Sequence, residues 1–148
     1  MKLTLNQIEQ GEEEVIISYL KMNDKIEDII RSVSGKEKRI PGFKAEAECM
    51  VSVRDILYVE SVDRETFAYT MGDVYKIPYV LNKVELEFSD KGFFRCSKSM
   101  VINIYMIEEL RSEAGNRIDA KLLNGEHVII SRRYAKELKC VLRGERDE

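Results

Sequence analysis

Residues 93–103 read FFRCSKSMVIN, and in them two short apolar and aromatic runs flank a polar segment. Such runs predict strands at about 93–96 and 101–104, with Ser97, Lys98 and Ser99 between them. Comparable runs elsewhere predict further strands at about 43–49, 55–61, 66–70, 74–77, 107–111, 117–123 and 126–130. Turn residues separate these runs, including the hairpin dipeptide Asn124-Gly125. The pattern is typical of a mainly β domain built from short strands.

Two short helices are predicted to interrupt this β-rich part. One follows Pro78, which suits the first position of a helix, and the other follows Ser131, which is placed to cap it. Apolar residues at helical spacing predict their buried sides: Leu81, Val84 and Phe88 in the first helix, and Tyr134, Leu138 and Val141 in the second.

Residues 1–42 are predicted to form a separate extension. The β-branched and aromatic run at 14–20 predicts a strand, and a helix capped by Asn23 or Asp24 follows it and stops at Gly35. Gly, Pro and charged residues at 35–42 then indicate a linker. The sequence therefore divides into a strand-helix extension with its linker, 1–42, and a main domain, 43–148.

The composition predicts a globular, soluble protein. The chain has 148 residues, 44% of them hydrophobic, and carries 24 Lys or Arg against 27 Asp or Glu for a net charge of −3. A chain of this size buries roughly 70% of its unfolded surface, so a substantial core is expected. No apolar run approaches the about 18 residues of a membrane span, and no signal peptide is recognisable. We expect the protein in the cytoplasm.

The three cysteines lack any C-x-x-C spacing, which argues against a disulfide framework and a structural zinc site. Cys49 and Cys140 fit the core of a strand and of the last helix. Cys96 lies between Arg95 and Ser97, with Lys98 close by, and positive charge favours a reactive thiolate. Two interpretations of Cys96 therefore stand, a redox sensor or a small apolar residue at a strand end.

The residues that enzymes commonly use are scarce in this sequence. His127 is the only imidazole, and its place after the Asn124-Gly125 turn is typical of a half-exposed strand residue. The sequence contains no Gly-rich phosphate loop, no metal-ligand spacing and no Gly-x-Ser-x-Gly motif. We expect no catalysis, cofactor, metal or small-molecule substrate.

Basic residues gather in two clusters despite the acidic total. Each cluster includes hydroxyls, a mixture that binds phosphates and lets an arginine reach guanine. The residues alone leave two alternatives open, solvated surface charge and nucleic-acid binding. The clusters consist of Lys91, Arg95, Lys98, Ser97 and Ser99, and of Ser131, Arg132, Arg133, Lys136, Lys139 and Arg143.

From about Phe43 to Leu142 the chain resembles the LytTR DNA-binding domain of bacterial transcriptional regulators. The resemblance rests on residues 55–61 (DILYVES), on 93–103, and on LNGE at 123–126 with IISRRY at 129–134. The middle segment is the most specific, an aromatic followed by Arg-x-x-x-Ser-x-hydrophobic-hydrophobic-Asn. The resemblance implies an elongated fold of short antiparallel strands with small flanking helices. It also implies that loops between strands, and not a recognition helix, enter successive major grooves of DNA.

The resemblance places DNA contacts in three loops of this sequence. Side-chain chemistry then suggests that Arg133 reads guanine and that Lys98 reads a base edge or a phosphate. Phosphate contacts are expected from Arg95, Ser99, Arg132 and Lys136. Asn103 is expected to satisfy backbone groups, and Phe94 and Tyr58 to lie in the core. The three loops contribute Arg64, Glu65 and Thr66; Ser97, Lys98 and Ser99; and Arg132 and Arg133.

The resemblance also implies partners. The expected ligand is double-stranded DNA, bound as tandem half-sites by two copies that form a homodimer. About 43 residues precede the match, too few for the phosphoacceptor receiver domain that many relatives carry. Small stand-alone LytTR proteins with such an extension are thought to act with a membrane-protein partner. The alternative function is a protein-interaction module that keeps the fold without specific DNA binding and docks through its N-terminal helix.

Overall fold

The computed structural model describes residues 1–34 and 38–143. The chain divides into two compact units, Met1–Glu37 and Lys38–Glu148. The three helices are α1 (Asp24–Ser34), α2 (Leu81–Glu87) and α3 (Arg132–Leu142). The strands are β1 (Arg39–Lys44), β2 (Ala47–Ser52), β3 (Tyr58–Val62), β4 (Glu65–Tyr69), β5 (Val74–Ile77), β6 (Phe93–Ser97), β7 (Met100–Asn103), β8 (Ile107–Glu113), β9 (Arg117–Leu122) and β10 (His127–Ile130).

The second unit is built on two antiparallel sheets. The larger sheet has seven strands in the order β2-β1-β5-β4-β3-β7-β6, and the smaller has three in the order β10-β9-β8. Most predicted strands are present within a residue or two of their expected ends, and β5 has the predicted bounds. The expectation of short antiparallel strands with small helices is therefore confirmed.

Two hydrophobic cores lie on opposite faces of β6 and β7. Because side chains alternate along a strand, Val101 packs into the first core and its neighbour Ile102 into the second. In the first core, Leu81, Val84 and Phe88 of the α2 segment join side chains of the seven-stranded sheet. In the second, α3 and the three-stranded sheet pack around Leu57, Cys96 and Ile102.

The predicted single strand at 43–49 is wrong, because the chain reverses within it. Lys44 pairs with Ala47, so Ala45 and Glu46 form a two-residue turn between β1 and β2, with Ala45 at a φ of 53°. Neither turn residue is Gly, Asn or Pro. The composition of the turn therefore does not predict the reversal, which is evident only from the pairing of β1 with β2.

Residues 39–42 were predicted as part of a linker, but they belong to β1. Gly42 serves close packing there, since a Cβ at this position would lie 2.8 Å from Cγ2 of Val51 and 3.0 Å from Cβ of Tyr75. Pro41 is accommodated because β1 pairs with β5 only at Phe43, which leaves the rest of that side without a ladder. Gly35, predicted to stop α1, lies outside the described residues.

In the first unit the predicted strand at 14–20 is wrong. These residues have no regular structure, and Ile16 and Leu20 are 77% and 107% exposed. A strand needs a partner for its backbone groups, and residues 1–34 contain no second strand. The predicted helix is confirmed as α1, where Oδ1 of Asn23 accepts a hydrogen bond from the backbone N–H of Ile26 (3.1 Å).

The two predicted helices of the second unit are confirmed, with local corrections. Pro78 lies three residues before α2 begins, and the Ser131 side chain makes no capping hydrogen bond to α3. Val141 was expected to be buried but is 42% exposed, and Ala135 lies in the core with Leu138 instead. None of the helices described here is long and apolar enough to cross a membrane.

Candidate nucleic-acid interface

The first predicted loop is the tight turn between β3 and β4. Val62 pairs with Glu65, and the two residues between them, Asp63 and Arg64, have φ values of 51° and 67°. This geometry matches the type I′ turn that suits the twist of a hairpin. It leaves the Arg64 side chain exposed at the end of the hairpin.

The other two predicted residues of this loop are already engaged within the fold. The carboxylate of Glu65 lies 2.8 Å from Nζ of Lys76 on β5. Thr66 is only 6% exposed, in the middle of the seven-stranded sheet. Of the three, Arg64 is the side chain best placed to contact a ligand.

The second predicted loop, Ser97–Ser99, is held from within by Arg95. The register of β6 and β7 shifts between Arg95 and Ser97, and the backbone bulges there. The Arg95 guanidinium donates hydrogen bonds to the carbonyl oxygens of Ser97 (2.6 Å) and Lys98. Its Nη1 also donates to Oδ1 of Asn82 (3.0 Å) and lies 3.4 Å from Oε2 of Glu85, both on α2.

Arg95 was expected to contact a DNA phosphate, but its guanidinium is bound within the fold. Its side chain is 14% exposed, and its guanidinium already has four partners. Lys98 and Ser99, in contrast, are exposed. Arg95 thus fixes the backbone from which these two side chains project.

The first two loops share one cavity of about 390 Å³. Arg64 and Thr66 line it from one side, and Lys98 and Ser99 from the other. The two loops are joined beside it, because the backbone N–H of Ser61 donates to the carbonyl oxygen of Ser99 (2.8 Å). Sequence reasoning missed Ser61 and Asn82, which also line the cavity. A serine within a strand and an asparagine on a short helix give no signal until the pairing is known.

The third predicted loop is wrong, because Arg132 and Arg133 form the first turn of α3. These two arginines lie in different places. Arg133 lines a cavity of about 870 Å³ together with Phe94 and Cys140, and its guanidinium lies 5.4 Å from the centre of the Tyr134 ring. Arg132 lines a separate groove of about 450 Å³. Lys136 borders both. Both arginines are exposed.

Asn103 and Tyr58 have the structural roles expected of them. Asn103 is 2% exposed; its Nδ2 donates to the carbonyl oxygen of Ile56 (2.9 Å), and its Oδ1 accepts from the backbone N–H of Tyr105 (3.1 Å). Tyr58 is 8% exposed, and its hydroxyl donates to Glu126 (2.8 Å). Phe94 is half-buried against the second core.

The structure favours the apolar interpretation of Cys96. The residue has no exposed surface, and burial raises the pKa of its thiol to about 12, although the charge of Arg95 acts in the opposite direction. Cys49 and Cys140, expected in the core, are half-buried. His127 is exposed, with Nδ1 2.9 Å from Oδ2 of Asp119. Over residues 1–34 and 38–143, no group of three or more His, Cys, Asp or Glu could hold a metal.

We expect iodoacetamide at pH 8 to modify Cys49 and Cys140 of the native protein well before Cys96. Because the pKa of Cys96 lies far above this pH, its thiolate fraction is negligible, and burial blocks the reagent. Peptide mass spectrometry over a time course measures the three rates. Denaturation in urea, as the control, should make them similar. Equal rates in the native protein would contradict the buried thiol.

Comparison with known proteins identifies the family and the fold of this chain. The sequence profile described as the LytTr DNA-binding domain matches residues 46–143, more than half of the chain. The chain therefore belongs to the LytTR family of DNA-binding domains. The fold is similar to a solved LytTr DNA-binding domain from Bacillus cereus, with a TM-score of 0.68 and 21% identity over 72% of this chain and 97% of that one.

Two relatives come from Staphylococcus aureus, and both are called uncharacterized HTH-type transcriptional regulators. The protein of strain NCTC 8325 is 29% identical over 121 residues, which cover 80% of this chain and 82% of the relative. The protein of strain MSSA476 is 29% identical over 142 residues, which cover 94% of this chain and 96% of the relative. The similarity to the second protein thus extends into the N-terminal unit.

Proposed function

We propose that this protein regulates transcription by binding double-stranded DNA at specific sites. Three segments would face the major groove: the β3–β4 turn, residues 97–99 and the first turn of α3. One observation carries this proposal, the cavity in which two separate loops present Arg64 and Lys98 beside hydroxyl groups. Exposed cations without ion pairs to described residues are suited to a polyanion. The names of the Staphylococcus aureus relatives support the regulatory role.

The residues divide into contacts and supports. Arg133 is proposed to read guanine, because its planar fork can bond N7 and O6 together. Lys98 would read a base edge or bind a phosphate, while Ser97, Ser99 and Arg132 would bind the backbone. The supports are Glu65, Thr66 and Arg95, whose polar groups the fold already uses or buries.

Two loops and the first turn of α3, and not the recognition helix of a helix-turn-helix, are proposed to enter the groove, although the relatives are called HTH-type. A helix-turn-helix needs two helices joined by a short turn. In the described part of the second unit, strands β6 to β10 separate α2 from α3. We further propose that two copies bind tandem half-sites as a homodimer in the cytoplasm.

A second candidate function is a protein-interaction module, with a membrane protein as one such partner. It is favoured by the first unit, where five Leu, Ile and Val side chains are at least 62% exposed. These side chains are Leu3, Leu5, Val15, Ile16 and Leu20. Such exposure is characteristic of segments that bury their apolar surface against a partner.

A randomised-duplex selection with the full chain tests the proposed function. The enriched duplex is then titrated against a scrambled duplex of equal length at two salt concentrations. We expect a tandem motif that binds at least a hundredfold more tightly than the scrambled duplex. Absence of a motif, with weak binding that disappears at modest salt, would contradict specific recognition and favour the second candidate.

Replacing Lys136 with alanine is expected to weaken binding to the enriched and the scrambled duplex by the same factor. Its exposed ammonium has no ion pair with any described residue, and a point charge on a phosphate carries no sequence information. Fluorescence anisotropy titrations measure both affinities. Glu137→Gln, a neighbouring change that removes no cation, serves as the control. A loss confined to the enriched duplex would contradict a phosphate contact.

A further inference from the structure

A cationic groove lies between the end of the β8–β9 hairpin and α3. Arg117 lines it from the hairpin, and Arg132, Lys136 and Lys139 line it from the helix. Glu113 is the one acidic residue among the lining residues. The groove therefore carries three more positive than negative charges, in a protein whose total charge is negative. This hairpin was not among the predicted DNA-binding segments.

The cations of the groove lack the partners that other cations of the same hairpin have. Arg111 lies 3.0 Å from Glu109, and Lys121 lies 3.8 Å from Glu108. Arg117 makes one hydrogen bond, from Nε to the carbonyl oxygen of Ala114 (3.3 Å), and no ion pair with a described residue. The same absence of ion pairs to the described residues holds for the three cations on α3. These four cations are therefore suited to an external anion.

The arrangement fits an extended polyanion better than a small enclosed one. Residues 132, 136 and 139 follow one face of α3 over about 10 Å at 1.5 Å per residue. Arg117 and the three helix cations are all exposed, so none is aimed into a closed pocket. Duplex DNA presents a continuous row of negatively charged phosphates, about one per 1.7 Å of its axis.

The groove is also continuous with the segment proposed to read bases. Arg132 precedes Arg133 in the first turn of α3, and Lys136 borders both the groove and the cavity that Arg133 lines. A duplex that meets Arg133 would extend past this face of the helix. We infer that the groove between the β8–β9 hairpin and α3 binds the sugar-phosphate backbone of DNA next to the bases contacted by Arg133.

This inference rests on the proposed function and adds Arg117 and Lys139 as phosphate contacts. The test compares Arg117→Gln and Lys139→Gln with Arg111→Gln. The control residue is an arginine of the same hairpin that pairs with Glu109 and does not line the groove. Each protein is titrated with the enriched and the scrambled duplex over a series of salt concentrations.

We expect both groove variants to weaken binding to the two duplexes by a common factor. The slope of log affinity against log salt should fall by about 0.9 for each lost phosphate contact. The ratio of the two affinities should stay at its wild-type value in both groove variants. The control variant Arg111→Gln should have wild-type affinities and a wild-type salt slope. Wild-type affinity and slope in both groove variants would overturn the inference, and so would a loss confined to the enriched duplex.

The two hypotheses fail in different ways. A wild-type protein without preference for any duplex would contradict specific regulation, but the salt slope on the scrambled duplex would still show whether Arg117 binds phosphate. A wild-type preference combined with unaltered slopes in the variants would remove the groove alone.

Discussion

Replacing Arg133 with alanine is expected to reduce binding to the enriched duplex by roughly 5- to 150-fold, with a much smaller loss on scrambled DNA. The guanidinium is exposed, and its one contact given by the structure is the Tyr134 ring at 5.4 Å, so the side chain can turn toward a base edge. A bidentate contact to guanine contributes about 1–3 kcal/mol of discrimination. Parallel titrations of the two duplexes measure the change in their affinity ratio.

Arg132→Ala is the matched control for this prediction. It removes the same side chain from the adjacent position of the same helix turn, but this arginine lines the other groove. We expect it to lower both affinities together, as a phosphate contact would. An equal loss on both duplexes from Arg133→Ala would contradict base reading by Arg133.

Replacing Arg95 with glutamine is expected to abolish most of the preference for the enriched duplex while the salt slope stays at its wild-type value. The substitution releases the carbonyl oxygens of Ser97 and Lys98 from the guanidinium. Hydrogen bonds to a charged group contribute about 1.5–3 kcal/mol each, so the 97–99 loop would lose its fixed conformation. Affinity for the enriched duplex should fall at least tenfold.

The salt slope distinguishes a positioning residue from a phosphate contact. A lost phosphate contact would lower the slope by about 0.9, as expected for Lys136→Ala, whereas a lost loop conformation would not. Arg95→Lys keeps the charge but not the fork that reaches four partners, so we expect it not to restore the preference. Wild-type selectivity in Arg95→Lys would contradict the positioning role.

Thermal denaturation of these variants separates loop disorder from loss of the fold. If Arg95→Gln is unfolded at the assay temperature, Asn82→Ala provides the second variant, since it removes only the 3.0 Å contact from α2 to the guanidinium. We expect it to lower the preference in the same direction and by less. Unchanged selectivity in a folded Asn82→Ala protein would contradict the proposal that α2 helps to hold the loop.

The sequence predicted those strands whose ends are marked by turn residues close by in the chain. Asn124 and Gly125 mark the β9–β10 turn, and the run at 74–77 has turn residues before it and a proline after it. The run at 14–20 has the composition of a strand, but no strand among residues 1–34 and 38–143 pairs with it. The turn at 45–46 depends on a pairing between β1 and β2 that composition does not reveal.

The candidate site shows the same division. Residue chemistry singled out Lys98 and Arg133 as members of basic clusters, and the family resemblance added Arg64. The structure leaves all three side chains exposed. The inward orientation of Arg95 depends on α2 lying beside β6, and the groove position of Arg117 on a hairpin packed near α3. Both are long-range relations, and the residues near them in sequence give no indication of them.

The alternation of Val101 and Ile102 between two cores has a genetic consequence. The strand that follows the 97–99 loop is anchored on both faces. The β7 side chain that packs into each core is separated from the loop by only one or two residues, so a cavity opened in either core affects the loop. Substitutions as distant as Phe88→Leu or Leu138→Val should therefore yield temperature-sensitive regulators, in which operator recognition fails on warming before the bulk of the fold melts. A screen for conditional alleles should recover substitutions in both hydrophobic cores.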